Sequence, residues 1–408
     1  MSETKTEWKG RTLLFLISQC ITLFGSTLVQ MAVVWYVTIR TSSGAWVAAF
    51  TVCSYLPQFL ISFISGVWAD RYSRKKLIIG ADAVIALVTL LKWIAMPFIS
   101  ADPALLLCLL IMSAIRSLGS GVQTPAVNAV IPQLVPVDQL MRYNGINATM
   151  QSVVQFAAPA AAGALLTAAS LRSALLLDIG TAMVGIGLFA SVALPRMKPQ
   201  SEVKPVFEEM KIGIRYSFSN SLLRKLLMVY GLFIFLCVPA GFLAQLFVSR
   251  TFGDTYWYLT AVEVVGFIGM ALGGILMSTW GGFTSRIKTL LTGIVLFGLL
   301  AIGMGMSNNL ILYLSLMLPY GIALTMVQTE TTTLIQENAE MTMQGRVFGL
   351  LGSMYSGFLP LGMVVFGPLA DLISLRWIMM GSGVALILIA LLSRFPKKTA
   401  DQSTSLIY

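Results

Sequence analysis

Several ionisable residues stand inside long apolar runs of this 408-residue chain, where charge is costly and so informative, and four of them could do chemistry: Arg116, Asp178, Glu263 and Glu330. A guanidinium at membrane depth costs at least about 2.5–3.5 kcal/mol on insertion scales, so it must find compensation inside the protein. Arg116 lies near the middle of its run and shares a helical face with Met112, Gly119, Ser120 and Gln123 by three-, four- and seven-residue spacing. That face is small and polar, unsuited to lipid. A carboxylate at such depth can bind and release a proton, or pair with a cationic solute. Glu263, roughly 9 Å below one surface at 1.5 Å per residue, shares a face with Gly266, Met270 and Gly273; it is either such a group or an interfacial carboxylate reaching water. Glu330 and Asp178 are further candidates for the same proton chemistry. Asp82 and Lys92 read as structural, Asp82 within reach of Arg142 or the basic turn at 71–76, and Lys92 extending outward past Trp93.

What the chain lacks narrows the chemistry further. It has no His and no Gly-x-x-x-x-Gly-Lys-Ser/Thr phosphate loop, and Cys20, Cys53, Cys108 and Cys237 have no metal-ligand or disulfide spacing. An enzyme, a metal centre or an ATP-driven pump would lack its usual parts, so no cofactor is expected and active transport would draw on an ion gradient.

These residues are positioned by apolar segments. The chain is 57% hydrophobic and 11% charged, with mean hydropathy +0.84, against about a quarter charged in a soluble domain. Runs long enough to span about 30 Å of hydrocarbon as helices are centred near residues 25, 56, 88, 115, 155, 184, 238, 268, 297, 321, 358 and 386. They predict an all-α polytopic membrane protein. The net charge of +10 is distributed by loop. Arg40, Arg172, Arg250 and Arg376 fall in one alternating set of turns, Lys92 and Arg116 fall in spans, and every other cation falls in the second set. This bias places both termini and the middle loop in the cytoplasm of a plasma-membrane protein, with basic loops touching anionic lipid and not nucleic acid.

Residues 195–222 form the one long polar strip, and within it Val206, Met210, Ile214 and Phe218 recur as in an amphipathic helix. It divides the chain into bundles at 1–194 and 223–394, with a tail at 395–408. Val122-Gln123-Thr124 recurs as Val327-Gln328-Thr329, half a chain later, as parallel six-helix repeats would. Met31, Tyr230, Phe233, Phe235 and Met270, with Gln30, Gln123 and Gln328, are candidates to line an adaptable cavity for a bulky amphiphile. Trp35, Tyr36, Trp257 and Tyr258 fit an interfacial aromatic belt.

The turn Gly66-Val-Trp-Ala-Asp70-Arg71-Tyr-Ser-Arg74-Lys75-Lys76 resembles the signature loop that joins the second and third spans of the major facilitator superfamily. Together with Arg116-Ser-Leu-Gly119, Thr124-Pro125-Ala126 and Gly345-Arg346-Val347-Phe348, it is similar to that superfamily's drug exporters, especially the macrolide-efflux proton antiporters. The resemblance implies two pseudo-symmetric six-helix bundles, a functional monomer, alternating access and proton coupling through Arg116 with Glu263, Glu330 or Asp178. It also implies a cytoplasmic latch in which Asp70 faces the positive N-terminus of the eleventh span, with Glu337 and Glu340 available to Arg71 or Arg74. A siderophore or metabolite exporter of the same fold, or a non-transporting membrane binding protein, is the alternative.

Overall fold

At membrane depth no water satisfies the backbone, so each apolar run must close its hydrogen bonds internally as a helix. The computed structural model describes residues 7–99, 101–136, 139–194 and 206–393, and every regular element among them is helical. In order these are α1 (Glu7–Thr41), α2 (Gly44–Arg71), α3 (Arg74–Ala95), α4 (Asp102–Leu134), α5 (Leu140–Ala168), α6 (Leu171–Ser191), α7 (Val206–Ser219), α8 (Ser221–Gly241), α9 (Ala244–Phe252), α10 (Tyr256–Trp280), α11 (Arg286–Met306), α12 (Leu310–Asn338), α13 (Met341–Leu372) and α14 (Leu375–Leu392). Helices α8 and α9 form one interrupted span, and 11 spans among the described residues are long and apolar enough to cross a membrane. Helix α5 is also long enough, about 43 Å at 1.5 Å per residue, but Asn144, Asn147, Gln151 and Gln155 dilute its apolarity.

One bundle packs α1 on α5 and α6, α4 on α2 and α3, and α3 on α6. The other packs α10 and α11 on α12, α14 on α11, and α8 on α13 and α14. The two meet along α2–α13 and α5–α10. Lipid offers no hydrophobic drive for helices to associate, so close backbone approach through small residues takes its place. Gly298 of α11 and Gly383 of α14 illustrate this: a Cβ on either would lie 2.6 or 2.5 Å from the other's carbonyl oxygen. Gly321, which occupies the place of Arg116 in the second repeat, is crossed by α10, where an added Cβ would meet the Met270 nitrogen at 2.7 Å. No long side chain fits there.

The amphipathic strip folds as α7, which rests on α13: Tyr216 Oη accepts a bond from the Glu340 N–H at 3.0 Å, and a Cβ on Gly213 would lie 2.9 Å from Arg346 Cβ. Trp35 is fully buried, which removes it from the expected aromatic belt; it faces the bundle interior from the last third of a long α1.

Candidate functional site

A cavity of about 300 Å³ lies between the bundles. Gln30, Met31 and Tyr55 face it from one bundle, and Glu263, Met270, Tyr320, Gln328 and Tyr355 from the other. Among the described residues its one carboxylate is Glu263, and no Lys or Arg lines it. Local chain geometry sets that carboxylate. Pro239 and Gly241 end α8, the Phe242 and Leu243 N–H groups both reach back to the Val238 carbonyl at 2.9 and 3.0 Å, and α9 restarts at Ala244. The break delivers Gln245, itself buried, so that its Nε2 donates to Glu263 Oε1. Interrupted spans mark binding sites in many secondary transporters because they bring polar groups to midplane depth.

Of the expected cavity residues, Gln30, Met31, Met270 and Gln328 line this space, while Gln123 lines a separate one. Tyr230, Phe233 and Phe235 do not line it. The cavity-facing line on α8 is Ile234, Cys237 and Gly241, and Phe233, rotated by one residue, enters the bundle core against Phe297 at 4.9 Å between ring centroids. Phe235 packs on Phe366 at 5.1 Å, and Tyr230 is buried in the apolar core.

Arg116 and Asp178 form a buried ion pair. The guanidinium also donates to Thr89 Oγ1 and to Ser26 Oγ, the latter at 3.0 Å, so one cation is shared among α1, α3, α4 and α6. A small void of about 50 Å³ lies between this cluster and the cavity: Arg116 lines the void, and Gln30 and Ser54 line both spaces.

Other ionisable groups sit away from their expected partners. Asp82, 2% exposed, accepts a 2.6 Å bond from Gln123 Nε2 instead of meeting Arg142, because α3 turns its 82/85/89 face onto α4. Lys92 does not reach outward; it is buried, and its Nζ makes no hydrogen bond. Glu330 is fully buried, outside the cavity lining, and lies 3.6 Å from Arg286 Nη1. Arg286 also pairs with Glu337 at 3.4 Å. Glu337 thus answers a cation of its own bundle.

The side chains of Gly66, Asp70 and Arg71 lie outside the described set, so the inner latch is not described at its core. Arg74 Nη1 donates to the Ala129 carbonyl at 2.5 Å, and Lys75 Nζ to the Ala190 and Val192 carbonyls at 2.6 and 2.8 Å. These cations bind the turn to α4 and to the C-terminus of α6, where helix dipoles favour positive charge. Glu340 meets Tyr216 through its N–H, and Arg346 Nη1 lies 3.1 Å from Met343 Sδ.

At the opposite end the bundles are tied directly. Asp371, near the C-terminus of α13, accepts from Ser43 Oγ, Gly44 N and Ala45 N at the start of α2, at 2.8, 2.7 and 2.9 Å. Arg250 of α9 donates to Asp371 at 2.6 Å, to the Ala370 carbonyl at 2.5 Å and to the Ser42 carbonyl. The carboxylate caps a positive helix end. Gly44 and Gly367 permit the approach, since a Cβ on Gly44 would lie 2.9 Å from that of Ala370. Ser42 takes φ of +45° to turn α1 into α2. Sequence reading did not single out Asp371, Gln245 or Tyr55; the signals were a carboxylate closing a span opposite a Ser-Ser-Gly turn, and Pro239 with Gly241 inside an apolar run.

The Major Facilitator Superfamily model matches residues 15–359. The chain is similar to macrolide efflux protein A of Streptococcus pyogenes, 28% identical over 393 residues, covering 95% of this chain and 96% of that protein. It is also similar to the multidrug efflux pump Tap of Mycobacterium bovis, 22% identical over 384 residues, 89% of this chain and 88% of that one. Among solved structures, a bacterial homologue of the human lysosomal transporter Spinster, inward-facing and unoccupied, superposes with TM-score 0.73 at 15% identity, covering 95% and 96% of the two chains.

Proposed function

The chain belongs to the major facilitator superfamily, and from that premise we propose that this multi-pass membrane transporter exports amphiphilic amines in exchange for protons. The observation that carries the reading is Glu263, the one carboxylate among the described residues of a cavity whose remaining lining is uncharged: amides, hydroxyls, aromatic rings, thioethers and aliphatic side chains. Such a carboxylate binds a proton or a substrate ammonium but not both, so each displaces the other. Tyrosine faces around it favour a cation, and apolar walls with Met31 and Met270 adapt to varied shapes. A siderophore or other anionic metabolite finds no cation in this lining. The macrolide and multidrug relatives support the amphiphile class.

Alternating access supplies the direction. The basic turns face the cytoplasm, and the Asp371 and Arg250 contacts hold the far end shut. The bundles are 1–194 and 223–394, joined by the 195–222 linker, and the chain works as a monomer. Arg116 and Asp178 sense the cavity through Gln30 and Ser54. The test is proton release from purified protein in weakly buffered detergent solution on adding a 14-membered macrolide amine. The parental protein should release protons, and Glu263→Gln should not. Tight binding by the parental protein with no proton release would overturn the exchange.

A further inference from the structure

A second cavity, of about 130 Å³, opens among α1, α4 and α5 toward the basic end. It is lined by the carboxamides of Gln19, Gln123, Asn128, Asn147 and Gln151, and among the described residues no charged side chain lines it. Amides at this depth are costly unless water or a ligand answers them. The five come from three helices, with Asn147 and Gln151 one turn apart on α5, and their presence is what leaves α5 less apolar than the other spans. Gln123 is oriented by a buried carboxylate, Asp82, which accepts its Nε2 hydrogen at 2.6 Å. That leaves the Gln123 amide oxygen as an acceptor. Burying a carboxylate is expensive, and here it fixes the donor and acceptor sense of one neutral amide. Leu16, Leu23, Val127 and Met150 supply apolar wall between the amides.

Carboxamides both donate and accept, and they carry no charge to neutralise. A site made of them with apolar wall between matches a neutral, hydroxyl-rich group having apolar ring faces, which describes a sugar. We propose that this cavity is a second substrate site, on the inner side of the central cavity, which takes the uncharged glycosyl portion of an amphiphile. The inference rests on the export reading for its choice of cargo, but the site itself is tested by binding alone. It differs from the central cavity in chemistry: that one holds the amine through Glu263, and this one holds neutral hydroxyl groups.

Cys20 lines the second cavity and serves as a reporter. In a chain carrying Cys53→Ala, Cys108→Ala and Cys237→Ala, the rate of Cys20 labelling by a small maleimide is measured in inside-out vesicles. The probes are a 14-membered macrolide bearing a neutral sugar and the same macrolide with that sugar removed. The sugar-bearing compound should slow labelling at about tenfold lower concentration, and Asn147→Leu with Gln151→Leu should abolish that preference. Equal protection by both compounds, persistence of the preference in the leucine variant, or no labelling of Cys20 without ligand would each overturn the site. Uptake of the same compounds by the parental protein, which keeps Cys237 in the central cavity, separates the two readings when measured in inside-out vesicles. Uptake without sugar-dependent protection refutes the second site alone, and protection without uptake refutes export while the site stands.

Discussion

Replacing Asp371 by Asn should open the outer end of the transporter. The carboxylate accepts three hydrogen bonds from the first turn of α2 and one from Arg250, and an amide of the same shape offers one oxygen and turns an NH₂ toward donors. At least two charge-assisted bonds across the bundles are lost. Bonds to charged groups contribute about 1.5–3 kcal/mol each, and the Asp371 side chain is 29% exposed, so water replaces part of the loss. A net change of about 1–3 kcal/mol follows, equivalent to a shift of roughly 5- to 150-fold between outward-open and inward-open states. Spin labels at Ser170 and Asp254, both exposed and on opposite bundles at this end, report the opening in a background free of native cysteines. Double electron–electron resonance should show a longer-distance population that grows in Asp371→Asn. A distribution identical to that of the parent would refute the reasoning.

Gly44→Val should act in the same direction for a steric reason, because the Cβ it adds meets α13; outer-side thiol accessibility should rise, and unchanged accessibility would count against the packing. Arg116→Ala leaves Asp178 buried without its partner and should lower stability by about 3–5 kcal/mol, read as a fall in melting temperature. Replacing both residues by Leu should recover most of that stability but no transport, whereas recovered transport would make the pair purely architectural. Gln245→Leu removes the amide that holds Glu263 and should raise the concentration of amine needed for half-maximal uptake severalfold, with little change for an uncharged analogue. Lys92→Met removes a buried amine without a hydrogen bond and should raise the melting temperature; a lower one would mean that Lys92 has an essential partner.

Helix number, the basic turns and the Arg116 face were legible because span length and charge position follow from the bilayer alone. That Glu263 faces protein and not lipid was legible for a similar reason, since the glycines on its face favour close helix packing. Its partner was not. Gln245 lies eighteen residues away, and the break at Pro239 and Gly241 that delivers it has consequences only in three dimensions. The pairing of Arg116 with Asp178 was likewise hidden, although each residue stood out, because sequence gives the depth of a residue and not the angle between helices. Phe233 shows the limit on a single helix, where a rotation of one residue separates core from cavity. The outer tie at Asp371 escaped because attention to a basic signature turn says nothing of the opposite ends of the same two helices. At those ends a carboxylate, Asp371, faces the N-terminus of α2.

The most direct test of proton-for-amine exchange at Glu263 is uphill transport in proteoliposomes with all other ions balanced. Inside-out protein, an acidic lumen and a labelled 14-membered macrolide should give accumulation that an uncoupler abolishes. Glu263→Gln should allow equilibration of an uncharged analogue but no accumulation of the amine. Accumulation by Glu263→Gln at the parental rate, or accumulation by the parent that ignores the uncoupler, would contradict the account.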